Sequence, residues 1–235
     1  YDKCLKINPN EKDSFNNLIN LLTFHYPQKK DLNFIIKKNS LLKMNNFIFD
    51  KKKQINDDQI INYFNAANNV IIKNLNKTEY NYTEIFRKNT FNLNCKRHFE
   101  VFNNFNVIPE FCFSCFKVQI EPKNIIDLIK LYIVFDNLNL KKNNTRKCFI
   151  EVRPQIGGLY KGLIYCRGIN EAEEIENLLT PIIETTIDNK TPVTIKRGCS
   201  EFAISYPKFK DKKNNMQYDR SWKKKENTID NKRLK

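Results

Sequence analysis

Residues 148–166 read CFIEVRPQIGGLYKGLIYC, and this stretch decides the fold. Apolar and polar residues alternate on either side of a segment rich in turn formers. A period of two places alternate side chains on opposite faces of a strand, so each flank is a strand with one face buried. Gln155, Ile156, Gly157 and Gly158 then make the turn of a hairpin. With that turn centred on Gly157, Cys148 falls opposite Cys166, Ile150 opposite Ile164 and Phe149 opposite Tyr165. Directly opposed residues have Cβ atoms ~5 Å apart, so the two thiols would meet.

Working outward, Phe116, Val118 and Ile120 alternate with Lys117 and Gln119, which is a further half-buried strand ended by Pro122. Residues 124–138, NIIDLIKLYIVFDNL, are apolar at helical spacing. Residues 170–187, NEAEEIENLLTPIIETTI, are a second helix, with Asn170 as its cap and Glu171, Glu173 and Glu174 at its positive end. Residues 192–199, PVTIKRGC, make the last strand. The order β-α-β-β-α-β resembles the ferredoxin-like pattern. The resemblance implies an α+β domain over residues 111–206, with a four-stranded antiparallel sheet in the order 4-1-3-2 and two helices on one face.

The remainder reads as helix and tail. Residues 1–22, YDKCLKINPNEKDSFNNLINLL, place Tyr1, Cys4, Leu5 and Pro9 where a tetratricopeptide repeat ends, and Phe15, Leu18 and Leu22 on the next helix. Ile19 departs from the small residue the pattern prefers. Residues 1–26 thus resemble the end of a tetratricopeptide (TPR) array, which implies a protein partner and further repeats before Tyr1. Residues 27–110 read as a helical region. Within it Asn56, Asp57 and Asp58 signal a helix start, with Ile60, Ile61, Phe64, Ala67, Ile71 and Leu75 on its apolar positions. A second helix spans 95–105, with Phe99 and Phe102 on one face. Residues 207–235 are basic and poor in apolar residues, which reads as a flexible tail.

The totals bound the function. The 235 residues are 40% hydrophobic with 18 Phe and 10 Tyr, enough for a core, and 5 Gly and 8 Pro exclude a low-complexity chain. A net charge of +15 favours nucleic acid or another polyanion as partner, although the abundance of Lys, Asn and Ile also matches an AT-rich composition. No apolar run reaches the ~18 residues of a membrane helix, so a cytoplasmic chain without a membrane span is expected. No Walker loop, GxSxG or GxGxxG is present.

Seven cysteines without a secretory signal point to metal or thiol chemistry. In the expected strand polarity, Cys112 and Cys115 start the first strand, Cys148 starts the second, Cys166 ends the third and Cys199 ends the fourth. All five gather at one edge, with Cys112, Cys148, Cys166 and Cys199 on the helix-covered face. Cys95 and His98, one helical turn apart, give with Cys112 and Cys115 the spacing C-x2-H…C-x2-C. Two divisions of ligands are open: zinc on Cys95, His98, Cys112 and Cys115, or an iron–sulfur cluster on Cys112, Cys148, Cys166 and Cys199. The alternatives to both are redox-active thiols, as in a thiol or iron–sulfur redox enzyme, and packing of the thiols as small apolar residues. Arg167 and Arg197, beside this edge, would depress thiol pKa values and hold an anion. Finally, Lys161, Gly162 and Tyr165 partly match the third-strand signature of the RNA recognition motif, with Leu163 and Ile164 departing from it. That resemblance implies a nucleic-acid surface of Lys117, Phe149, Arg153, Lys161, Tyr165 and Lys196.

Overall fold

In the computed structural model, the residues described below are 1–8, 11, 13, 14, 17, 18, 21, 50–72, 83–89, 91–210 and 216–234. The chain divides into two compact units, the first over 1–48 and 56–81 and the second over 49–55 and 82–235. In the first, α1 (Asp2–Ile7) and α2 (Asp57–Ile72) are helices, and Leu5, Leu18 and Ile60 are buried. The Asn56 side chain accepts from the Asp58 amide at 2.7 Å, so the expected helix start holds. Ile61 and Phe64, expected on the apolar side of α2, are exposed. Pro9, Phe15, Ile19, Leu22 and Leu75 lie outside the described residues, and no side chain is described at Ala67 and Ile71.

The second unit is mixed helix and sheet. Five antiparallel strands, β1 (Glu84–Lys88), β2 (Phe116–Ile120), β3 (Arg146–Ile150), β4 (Tyr160–Cys166) and β5 (Val193–Arg197), lie in the order β1-β3-β4-β2-β5. Helices α4 (Ile125–Asn137) and α5 (Ile169–Thr186) pack on one face; α3 (Cys95–Phe105) precedes β2. The Asn124 side chain caps α4 by accepting from the Asp127 amide. The cap of helix α5 lies two residues earlier than expected, at Gly168 rather than Asn170. Strand β1, inside the stretch expected to be helical, pairs with β3 and sends Phe86 against Tyr132 of α4, centroids 4.9 Å apart.

The hairpin register differs from the expected one. Cys148 pairs with Gly162 and Arg146 with Ile164, so Cys148 and Cys166 are not opposite each other. The turn forms at residues 153–156, where the Ile156 amide donates to the Arg153 carbonyl at 3.1 Å. Pro154 sits at the position of that turn that a fixed φ of about −65° favours, and it overrides the two glycines. The displacement moves the partner of Cys148 by an even number of residues, so the two faces are preserved. Gly162 lies beneath α4, where a Cβ would stand 2.3 Å from Leu131 Cδ2; the absent side chain is what lets helix and strand approach.

Residues 200–210 and 216–234 carry further helices. After α6 (Ser200–Ser205), α7 (Lys223–Arg233) docks on α3. Ile229 packs against Val101 and Val107, which few apolar residues in the tail had signalled. Beside them the buried Glu226 carboxylate pairs with Arg97 and accepts from the Tyr218 hydroxyl at 2.7 Å and the Glu110 amide at 3.0 Å. Arg97 also grips Asp230 through Nε and Nη2, at 2.8 and 2.7 Å. Burial would raise the Glu226 pKa, but these donors outweigh it and hold the carboxyl below its ordinary range. Its stabilisation is therefore complete at neutral pH and lost as acid protonates it. Glu226→Ala leaves Arg97, Tyr218 and the Glu110 amide short of a partner, and is expected to cost about 3–5 kcal/mol. Urea unfolding at pH 7 checks this; a loss under about 1 kcal/mol would remove Glu226 as the anchor of α7.

Candidate functional site: a basic cavity over the open sheet face

Alternation along the strands sends Lys117, Gln119, Lys147, Phe149, Lys161, Leu163, Tyr165 and Lys196 to the face away from α4 and α5. That face is not flat to solvent. Residues 91–93, the start of α3, the short turn Glu110–Phe113 and the start of α6 stand around it and border a half-open cavity of about 620 Å³. The volume lies in the range of small-ligand sites.

The cations lining it are Arg87, Lys96, Lys117, Lys147, Arg153, Lys161 and Lys196; the carboxylates are Glu151 and Glu201. Some charges are neutralised locally. Arg153 binds Glu151 through two hydrogen bonds of 2.8 and 2.7 Å and also pairs with Glu201. Arg87 holds Glu84 in a two-point contact at 2.6 Å, and Lys147 lies 3.5 Å from the same carboxylate. Among the described residues, Lys117, Lys161 and Lys196 have no carboxylate at ion-pair distance. Lys117 and Lys161 are 6% and 3% exposed. Lys117 Nζ rests 3.6 Å from Cys199 Sγ and 5.1 Å from the Tyr165 ring centre. Lys196 donates to the Ser200 hydroxyl. Lys196 also stands directly across the sheet from Lys117, so like charges face each other.

Burying an ammonium group without a counter-charge favours its neutral form. Burial accordingly lowers the pKa of Lys147 and of Lys161, with Glu84 and Glu151 respectively opposing the change. Lys196 is pushed down to about 8, by burial first and then by Lys117 and Lys161.

The thiols divide between the two faces. Cys95, Cys112, Cys115 and Cys199 line the cavity, as does His98. Cys148 and Cys166 lie on strands facing the helix layer, so the set Cys112, Cys148, Cys166 and Cys199 does not come together. The expectation that Cys112 and Cys199 share that layer fails because neither belongs to a strand. Cys112 sits in the turn Glu110–Phe113, and Cys199 follows Gly198, whose φ of 56° turns the chain. Among the described residues, no group of three or more His, Cys, Asp or Glu is placed to hold a metal ion. Burial pushes the Cys95, Cys112 and Cys115 thiols up, and that of Cys166 up to about 12. The arginines expected to lower them are engaged elsewhere. Arg197 is buried, donates to the Phe113 carbonyl at 3.0 Å and lies over the Phe209 ring; Arg167 lies over Phe91 at 5.5 Å. His98 stacks on Phe111 with centroids 5.1 Å apart, and burial lowers its pKa.

Lys117, Phe149, Arg153, Lys161, Tyr165 and Lys196, the nucleic-acid set, all line the cavity. Two of its ring faces are already covered, Tyr165 by Lys117 and Phe149 by Lys147 at 4.5 Å. Sequence reasoning missed Arg87, Lys147 and Ser200. Lys147 could have been found, since it shares strand parity with Phe149; nothing in the pattern marked Arg87 or Ser200. Among the described residues, no helix is long and apolar enough to cross a membrane. No family model, curated protein or solved structure matches this chain.

Proposed function

We propose that the second unit binds a compact phosphate-bearing ligand in the cavity over its open sheet face. The observation that carries this reading is that Lys117, Lys161 and Lys196 share one walled sheet face, buried or half-buried, with no carboxylate at ion-pair distance among the described residues. Burial penalises the charge of Lys161 and Lys196, a cost that an anion in the cavity would offset, whereas at Lys117 the neighbouring Cys199, Tyr165 and Cys115 already outweigh burial and hold the pKa above its ordinary value. A phosphate group brings up to two negative charges and three acceptor oxygens, which suits several ammonium donors better than one carboxylate does. Covered ring faces favour this over base stacking, so a small phosphate compound is preferred to a strand of RNA. We read β2-α4-β3-β4-α5-β5 as a ferredoxin-like unit with β1 added at its edge, and residues 1–26 as a TPR-like end that recruits a protein partner.

A second reading is a zinc site on Cys95, His98, Cys112 and Cys115, favoured by their lining one cavity. It requires these side chains to draw closer and the thiols to release protons to the metal. Metal analysis of the purified chain tests it: one zinc per chain supports it, and no zinc after dialysis against zinc-containing buffer removes it.

Inorganic pyrophosphate is the simplest probe of the main reading. It is expected to bind at pH 7, weakening as salt rises, and Lys161→Met is expected to lose at least about tenfold in affinity. Protonated Lys196 attracts the anion, and Lys117, Lys161, Cys199 and Glu201 are the titratable groups around it. Because Lys196 loses its proton near pH 8, affinity should fall between pH 7 and pH 9. Calorimetric titration at both values decides; absent binding at pH 7, or unchanged affinity at pH 9, contradicts the reading.

The same amine predicts a stability effect. Its folded pKa of about 8 lies below the ordinary 10.5, so the folded state holds fewer protons across that window and gains stability as pH rises through it. At pH 7 the full penalty remains. Lys196→Met is therefore expected to stabilise the ligand-free protein on the order of 2 kcal/mol, read by urea unfolding at pH 7. Destabilisation by this substitution would mean that Lys196 is satisfied where it lies.

A further inference from the structure

We propose that Lys196 is a covalent anchor, its ε-amine condensing with the carbonyl of a phosphate-bearing aldehyde or ketone whose phosphate is held by Lys117 and Lys161. This deepens the anion-binding reading above and rests on it.

The geometry separates Lys196 from the other cavity lysines. Lys117 and Lys161 are almost wholly buried, and Lys117 is in addition engaged with Cys199 and the Tyr165 ring. Lys147 is held by Glu84 and lies over Phe149. Lys196 is half-buried, lines the cavity, and touches a hydroxyl rather than a carboxylate. An amine with cationic neighbours and no counter-ion is the environment in which lysine becomes a nucleophile. With its pKa near 8, roughly a tenth of Lys196 is free base at pH 7, against less than about a thousandth of an ordinary lysine.

The step balances without a redox partner. The Nζ lone pair adds to the carbonyl carbon, a C–N bond forms, and the π electron pair moves to oxygen. One proton passes from nitrogen to that oxygen, and the Ser200 hydroxyl, hydrogen-bonded to the amine, is placed to relay it. The C–O bond of the carbinolamine then breaks, water leaves with the second nitrogen proton, and a C=N bond remains. Neighbouring ammonium groups meanwhile hold the phosphate, fixing the carbonyl beside the amine.

The test incubates the full chain with pyridoxal 5′-phosphate, used purely as a phosphate-bearing aldehyde, reduces with borohydride and maps the stable adducts by peptide mass spectrometry. Lys196 is expected to be labelled at least about tenfold faster than the median lysine. Pyridoxal without the phosphate should lose this preference, and inorganic pyrophosphate should protect. Lys196→Met should lose the adduct and bind pyrophosphate more weakly than the native chain, and a cooperative urea-unfolding transition shows that the variant is folded. Label spread evenly over surface lysines, or concentrated on Lys147 or Lys161, overturns the assignment. If pyrophosphate binds and Lys196 is not preferred, the covalent step alone is wrong. If pyrophosphate neither binds nor protects, the anion-binding reading fails with it.

Discussion

Strand β2 is hydrogen-bonded on both sides, and its register sets Lys117 between Tyr165 of β4 and Lys196 of β5. That constraint fixes which of these side chains face the cavity. The apolar residues Phe116, Val118 and Ile120 must face α4 and α5 to close the core, so Lys117 and Gln119 are forced onto the other face. A sheet with one solvated face could carry lysines there at little cost. Here that face is walled, and the same lysines lose their water.

The walls are held by interactions on both sides of α3. Helix α3, which brings Cys95, Lys96, His98 and Phe99 to the rim, is clamped from behind by α7 through Arg97, Glu226 and Asp230. On the opposite side Phe202 of α6 packs with Phe99 and Phe102, centroids 5.6 and 4.8 Å apart. The aromatic cluster and the buried ion network together make an enclosure of a surface that would otherwise be open. A buried ion pair is weak evidence for stability in general, but one that also satisfies a hydroxyl and a backbone amide has a defined geometry to enforce.

Much of the second unit was legible in the sequence. The strands of the hairpin, the strand from Phe116, the helix from Cys95 and the helix after Asn124 all follow from period and capping. The hairpin register did not, because two glycines and a proline competed for the turn and Pro154 won. Strand β1 was hidden in a polar stretch; its placement depends on pairing with β3, a contact distant in sequence. The tail helix was hidden for a related reason. Its burial rests on Glu226 and Ile229 meeting α3, not on a periodic apolar face. For the site, strand alternation already placed Lys117, Phe149, Lys161, Tyr165 and Lys196 on one side. Alternation has no authority beyond the strand ends, and there Cys112 and Cys199 left the expected face. Which thiols and amines are desolvated depends on the walls, and no local pattern encodes them.

The account turns on Lys196 being an amine that burial and two neighbouring ammonium groups have made unusually acidic. Heteronuclear NMR titration of the lysine side chains in the ligand-free chain measures this directly. The account predicts one ε-amine, absent in Lys196→Met, that titrates near pH 8. Titration of that amine at the ordinary value near 10.5 would show that the cavity is electrostatically relaxed without an anion, and would contradict the central claim.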